Sequence, residues 1–475
     1  MSQLSSKVEE MATGNIGRLL FKYSWPALVA MSLNALYSVV DRFYIGRGCG
    51  EEAMAGLTLT FPVMMLFGAV GVFIGLGHAA VLSIKLGEGE RRQCEKILGE
   101  LVFLKMVAFL ILPGLIFFNV DTVINLCGGS KVSAGAFASA ATYLKLVMFS
   151  HLFSHLAFGL SAAMRSEGAA VKSMMAMVVG FGLNLILDPI FIFGFGMGVA
   201  GAAWATNIAM FSSCMFALSH YLSGKSEVRL KLRSVGFSPT LAWRTFGIGF
   251  SPFLQQFLGA LINLLLAAAF AKWSSDKASA TAQIASLGVF QTALILILMP
   301  IMGAQQGLQP IIGYNWGARN FARVREALFK GLKLTTCLCV GAFVLQVVPP
   351  FPRLLASMFI PGSNPELLAK ATWDLQVSNC MIWCVSLNIV ATTYFQSIGH
   401  PLTAIVLSTL RQGACMMPVI WFLPYFMEHK TLAIWLSMPI SDVACFLMTL
   451  LPFWFHTRFL SKVRGHRKIS EERGV

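Results

Sequence analysis

The chain has 475 residues, of which 56% are hydrophobic and only 12% charged, with a mean hydropathy of +0.71. Soluble domains carry about 25% charged residues, so a soluble globular fold is excluded and a polytopic membrane protein is expected. The net charge of +15 does not point to nucleic acid, because the basic residues sit in short segments between apolar spans, the pattern that sets membrane topology.

In chain order, the first 15 residues are polar and of mixed charge, so no cleavable signal peptide is expected. Twelve apolar runs of membrane-spanning length follow, at 17–46, 53–84, 97–120, 136–164, 170–195, 199–222, 242–272, 280–312, 327–350, 370–398, 402–425 and 432–458. With the N-terminus inside, 24 Lys and Arg fall in inside segments and 7 in outside segments, which predicts both termini on the cytoplasmic face of the cell membrane. Gly and Pro interrupt the spans at Pro26, Pro189, Pro252, Gly303 and Gly307 among others, and these five are the candidate hinges. Ten cysteines include no CxxC pair and no zinc-type spacing; Cys49 and Cys127 fall in outer loops and are not expected to pair.

The chain repeats itself. SWPALVAMSLN around Pro26 resembles SPFLQQFLGALIN around Pro252. Gly75 and Gly89-Glu-Arg-Arg recur as Gly303 and Gly317-Ala-Arg-Asn at an offset of 228, and Arg165-Ser-Glu-Gly168 and Trp204 recur as Gln396-Ser-Ile-Gly399 and Trp435 at 231. The expected organisation is an N-lobe (1–222), a basic linker (223–241), a C-lobe (242–460) and a basic tail (461–475). An even number of spans per half makes the halves parallel repeats about an axis along the membrane normal, as many transporters are built.

The candidate site grows from the fifth run, GFGLNLILDPIFIFGFGMGVAGAAWAT. On a helix Met177, Gly180, Asn184 and Asp188 share one stripe, and Pro189 removes a donor and frees a carbonyl one turn back. In the first run, Asn34, Tyr37 and Asp41 fall on neighbouring turns. Counting residues from the outer ends of their spans, Asp41, Asp188 and Thr206 lie at one depth, roughly 8–10 Å below the surface at the helical rise. Acids embedded in a membrane are functional candidates by default. The equivalent C-lobe positions, Cys415 and Val419, are apolar.

Three stretches, SWPALVAMSLNALYSVVDRFYIG, NLILDPIFIFGFGMGVAGAAWAT and MPIMGAQQGLQPIIGYNWGARNFARV, resemble the multidrug and toxic compound extrusion (MATE) family, close to the branch of DNA-damage-inducible membrane proteins and staphylococcal-type multidrug exporters. The resemblance spans essentially the whole chain. It implies an all-α fold of twelve transmembrane helices in two six-helix lobes forming a V around a central cavity. It also implies export of organic cations or amphipathic drugs driven by protons, with sodium as the alternative ion, and neither a further cofactor nor a metal. By motif match the cation site is Asp41, Asn184, Asp188 and Thr206, and the substrate face bears Asn34, Tyr37, Met177 and Gly180. Another family pattern puts acids in helices seven and ten; here Gln255, Gln256, Asn263 and Gln376 stand in those helices. The expected partners are small molecules and lipid, with no nucleic acid, and the expected state is a monomer.

Several polar residues stay outside that site. His151 and His155, one turn apart, are expected to be packed and hydrogen-bonded rather than a proton or metal pair, and Lys145 either meets a buried acid or snorkels. Arg411 and Asp442 are candidates for an interhelical pair, and Gln305, Gln306 and Gln309 for helix contact and hinge, with cavity lining as the alternative. No Walker A, GxSxG, HExxH or dinucleotide fingerprint occurs, so no enzymatic activity is expected. The alternatives are a flippase for lipid-linked precursors, which needs cationic groups in its cavity, and a membrane-embedded lipid-modifying enzyme using the two aspartates.

Overall fold

The computed structural model describes the backbone of residues 6–224, 226–360 and 365–472. The side chains of 461–472 are not described, so the expected basic tail lies outside the described side chains; its backbone continues the last helix to Glu472. Every described regular element is helical: α1 (Ser6–Thr13), α2 (Ile16–Gly87), α3 (Arg91–Phe118), α4 (Val120–Leu126), α5 (Ala134–Ser166), α6 (Ala170–Pro189), α7 (Gly198–Leu222), α8 (Pro239–Trp273), α9 (Lys277–Gly317), α10 (Phe321–Val347), α11 (Phe351–Ser357), α12 (Pro365–Asn379), α13 (Val385–Ser397), α14 (Pro401–Thr409), α15 (Met417–Phe426) and α16 (Lys430–Glu472), joined by short 3-10 and π segments.

Among the described residues, eleven helices are long and apolar enough to span a membrane. The twelfth span is the first half of α2. That helix runs through Pro26 and Pro62 and breaks its torsions only at Gly50, where φ is 80° and ψ −174°. A Cβ is disfavoured there, so glycine lets the chain turn back without a loop. Two spans are less regular than their hydropathy suggests. The tenth is α12 and α13 joined by a 3-10 turn at Ile382–Cys384, and the eleventh is α14 and α15 joined by a π segment at Leu410–Met416.

The twelve spans form two lobes of six, and the hydrophobic core shows how they meet. One buried cluster draws on both lobes, joining Leu20, Leu82 and Leu160 to Leu308, Ile312 and Tyr394. A second, with Phe270, Phe290 and Trp435, belongs to the C-lobe; a third, with Ile45, Phe67 and Leu144, belongs to the N-lobe. The shared cluster lies on the side of the molecule that holds the N-terminal helix. The separate ones draw on the opposite ends of the spans, such as Ile45 and Phe270.

Glycine makes the shared contact close. A Cβ on Gly77 would fall 2.2 Å from the Thr245 carbonyl oxygen, and one on Gly303 would fall 2.5 Å from the Leu28 Cα. The α2–α9 crossing is self-complementary. A Cβ on Gly87 would meet the Tyr314 carbonyl oxygen at 2.0 Å, and one on Gly317 would meet the Ile84 carbonyl oxygen at 2.0 Å. The two contacts exchange under an offset of 230 (Gly87 to Gly317, Ile84 to Tyr314), within two residues of the sequence offsets of 228 and 231, as expected where two equivalent helices cross on a pseudo-two-fold axis.

Candidate functional site

The stripe expected on α6 forms as spaced. Its buried positions include Met177, Gly180, Asn184 and Asp188, separated by three or four residues. Asn184 donates from Nδ2 to Asp188 Oδ1 and to Thr206 Oγ1 of α7, each at 3.2 Å. The Thr206 hydroxyl donates to the Ala202 carbonyl at 3.0 Å, which turns its lone pairs toward Asn184. Asp41 of α2 is buried and lies within hydrogen-bonding reach of Asp188. The Tyr37 phenol, one turn before Asp41, reaches Thr206.

Three helices therefore bring two carboxyls, a carboxamide, a hydroxyl and a phenol to one point inside the N-lobe. The cluster is rich in acceptors. Asn184 Oδ1 and Asp188 Oδ2 are buried, and neither accepts a hydrogen bond among the described residues. A buried acceptor without a donor costs about 1–3 kcal/mol, and a buried carboxylate beside another carboxyl costs more. A proton or a hard cation among these oxygens offsets both terms.

Pro189 ends α6, and the chain continues as a π turn, Ile190–Gly194, in which Phe195 N–H donates to the Ile190 carbonyl. The C-terminal end of the first span leans on this turn: a Cβ on Gly48 would fall 2.3 Å from Ile192 Cγ2. Segments of π-helix recur at functional sites because they store an adjustable register. The helix of Asp41 and the turn after Asp188 are thus in direct contact.

The residues expected on the substrate face divide. Tyr37 stacks on Phe181 with ring centroids 5.3 Å apart. Met177 packs with Ala30 and Met31, and Phe158, Met174, Phe181 and Met299 of the C-lobe helix α9 cover the cluster. Asn34 is half-buried. Gly180 does not face that cluster: a Cβ there would meet Ser213 Cβ at 3.0 Å, so it serves the close packing of α6 on α7. Among the hinge candidates, Pro26 and Pro252 are buried and leave the helix continuous around them, and Gly303 and Gly307 press on Leu28 and Ser24 across the lobe interface.

Some buried polar groups escape sequence reasoning. Asp374 lies in the tenth span, where the sequence reading names Gln376 alone. It accepts from Ser286 Oγ at 2.6 Å and pairs with Lys370 at 3.4 Å. A Lys four residues before an Asp was the available signal. Lys105 is buried and donates to the Gly71 carbonyl, beside His155 stacked on Phe109 and His151 stacked on Phe67. The histidines contact each other at 3.3 Å, consistent with packed and bonded rings. Lys145 is exposed. The Arg411–Asp442 pair forms, Nε to Oδ1 at 2.6 Å. Cys49 and Cys127 are both free thiols.

The MatE family model matches residues 26–190 and 248–422, one segment in each lobe. The chain belongs to the MatE family. Its relatives include the multidrug export protein MepA of Staphylococcus aureus, 25% identical over 440 residues, covering 91% of this chain and 92% of that one. The protein of the same name from Staphylococcus saprophyticus is 25% identical over 432 residues with the same coverage. Among solved structures, a ligand complex of the MATE multidrug transporter DinF-BH is 29% identical, with TM-score 0.82 over 95% of this chain and 97% of that chain. A MATE family transporter of the MOP superfamily in its outward-facing conformation matches with TM-score 0.89 over 97% and 99%, at 19% identity, which establishes the shared twelve-helix, two-lobed fold.

Proposed function

We propose that this MatE protein is a secondary antiporter that exports cationic or amphipathic organic compounds in exchange for protons, with sodium as the second ion its oxygens suit. One observation carries the reading: Asp41 and Asp188 are buried side by side in the N-lobe, next to Asn184 Oδ1 and Asp188 Oδ2, which accept no hydrogen bond among the described residues. Such a cluster gains most from a bound cation, and its occupancy sets the charge inside the lobe. Asp41, Asp188, Asn184 and Thr206 hold the ion. Filling the site relieves repulsion between α2 and α6, and the π turn after Pro189, seated against Gly48, carries the change to the outer end of the first span.

The drug face fits the same reading. Tyr37, Phe181 and the methionines around Met177 are flat or soft side chains that accept varied apolar ligands. The names of the staphylococcal relatives and of DinF-BH point to multidrug export. We take residues 1–222 and 242–460 as the two moving bodies, with both termini in the cytoplasm as the basic loops require, so that the open V faces outward. A flippase for lipid-linked precursors is less well supported. Of the bases within the spans, Lys105 is consumed by a backbone carbonyl and Arg411 by Asp442, which leaves neither to hold a phosphate in the cavity.

The test is transport by the purified protein in proteoliposomes, with pH and sodium gradients imposed separately across a panel of dyes. Uptake that follows one imposed ion gradient supports the antiporter. Translocation of a lipid-linked pyrophosphate analogue without either gradient, and no dye transport, would replace it with the flippase.

A further inference from the structure

The most specific sequence motif, GYNWGARNFARV, takes no part in the ion or drug face, and it has a clear structural engagement. Asn315 and Arg323 are its polar centre. Arg323 Nε donates to Asn315 Oδ1 at 3.1 Å, which fixes the guanidinium. Its Nη2 donates to the carbonyls of Met11 at 3.2 Å and Gly14 at 2.6 Å, at the end of α1. Asn315 Nδ2 donates to the Met11 carbonyl at 3.3 Å. Asn315 and the Met11 side chain are fully buried. On the other flank, Glu10 of α1 pairs with Lys22 of the first span. So α1, which leads into the N-lobe, has its C-terminal carbonyls held by the C-lobe.

The repeat supplies a second, independent observation. Position 323 corresponds to Glu95 at the offset of 228, and Glu95 binds Lys231 of the linker at 2.7 Å. The linker also docks by Ser238 N–H to Glu100 Oε1 at 2.9 Å, and by Ser234, whose carbonyl oxygen lies 1.9 Å from a Cβ built on Gly99. The segment before the first helix of each lobe thus docks on the corner between the second and third helices of the other. The corners use opposite charges: a cation that captures carbonyls in the C-lobe, and an anion that captures a lysine in the N-lobe.

We propose that Asn315 and Arg323 form a socket for the chain's own N-terminal helix, and that the docked α1 is a latch holding the lobes together on the side of the termini. Opening that side requires the Met11 and Gly14 carbonyls to leave Arg323. The inference rests on the two-lobe architecture and not on the identity of the coupling ion.

Deuterium uptake by the full-length protein in lipid nanodiscs tests it. Arg323→Ala removes the donors, and deletion of residues 1–13 removes α1 while leaving both lobes intact. Each should raise uptake in the lobe seam, residues 73–87 and 303–317, by on the order of tenfold, the effect of losing one charge-assisted hydrogen bond. Uptake in 430–445, away from the seam, should stay unchanged. Arg323→Lys, which keeps a charge but loses the fork, should fall between. Should Arg323→Ala fail to fold, the deletion alone decides the matter. Seam uptake equal to wild type in the deletion variant, or faster uptake confined to α1 itself in Arg323→Ala, would overturn the latch.

Discussion

The crossing of α2 and α9 offers the sharpest test of how the lobes close. Gly317→Ala places a Cβ 2.0 Å from the Ile84 carbonyl oxygen, 2.9 Å from its carbon and 3.1 Å from the Glu88 nitrogen. All three are backbone atoms, so no side chain can swing aside. Non-bonded carbon and oxygen need ~3.2 Å, so the helices must separate by about 1 Å along that contact. Overpacking of this kind costs about 1–3 kcal/mol, equivalent to a shift of roughly 5- to 150-fold away from the closed seam. Gly87→Ala should do the same, because its Cβ would meet Tyr314 with the same 2.0 Å clearance. Gly114→Ala and Gly341→Ala are the controls, since both glycines lie in helices with nothing within 4 Å of an added Cβ. The assay is dye efflux from cells at matched membrane abundance, with deuterium uptake at 73–87 and 303–317 on the purified protein. Both seam variants should lose most efflux and exchange faster at the seam, while the controls match wild type. Seam variants that transport and exchange like the controls would refute the close crossing.

Three further outcomes follow from the site. Asp41→Asn and Asp188→Asn should each nearly abolish efflux at normal abundance, whereas Asn263→Ala, whose side chain accepts from Gln291 at 3.1 Å on an exposed face, should do little; wild-type efflux by either aspartate variant would remove that residue from the mechanism. Arg411→Met leaves Asp442 buried and should cost about 3–5 kcal/mol of stability, measured as a fall in thermal midpoint, whereas Arg411→Met with Asp442→Leu should recover most of it; a single variant as stable as wild type would deny the pair its structural role. Binding of a cationic dye should weaken as pH falls, because protons fill the Asp41–Asp188 site and compete with the cation, or as sodium rises if that is the ion; Asp41→Asn should flatten the dependence, and wild-type affinity indifferent to both ions would sink the competition.

How much is legible from sequence varies with the physics involved. The stripe of Asn184 and Asp188 follows from helical spacing, and its meeting with Asp41 and Thr206 follows from counting residues inward from span ends. Both depend only on rise per residue, which is fixed. The pairing of Arg411 with Asp442 is legible because a membrane leaves lone charges few alternatives. Asp374 escapes a search for equivalent carboxylates that stops at its neighbour Gln376; its Ser286 partner lies 88 residues away and only packing brings the two together. Gly180 shares its stripe with the acids yet turns to Ser213, since a buried stripe is wide enough to face two neighbours. The π turn after Pro189 is legible as a disturbance but not as a register. Gly303 reads as an interruption and Gly317 as part of the repeat, and Gly87 goes unread, while the structure uses all three where backbones touch; which helix they touch depends on lobe docking, and local pattern does not encode that.

The two lobes share a scaffold but treat their buried aspartates differently, while the buried glutamates of the N-lobe, Glu100 and Glu167, each face a histidine; the aspartate difference bears on where a coupling ion would act. In the C-lobe each buried aspartate has a base: Lys370 for Asp374 and Arg411 for Asp442. Those charges are settled when the lobe folds, and taking up a further cation would cost the existing pair. In the N-lobe Asp188 is given a second carboxyl and a carboxamide instead, with its Oδ2 left without a donor. The positions that correspond to Asn184 and Asp188 in the C-lobe are Cys415 and Val419, which can bind no cation. Under the proposed antiport, the Asp41–Asp188 cluster of the N-lobe is the place where a proton or sodium ion is taken up and released within a transport cycle. A ligand can shift an equilibrium only by its difference in affinity for the two states. In the proposed antiport the ion therefore acts through the lobe whose charge it changes, and the helices that would hold it, α2 and α6, also carry Tyr37 and Met177 of the proposed drug face.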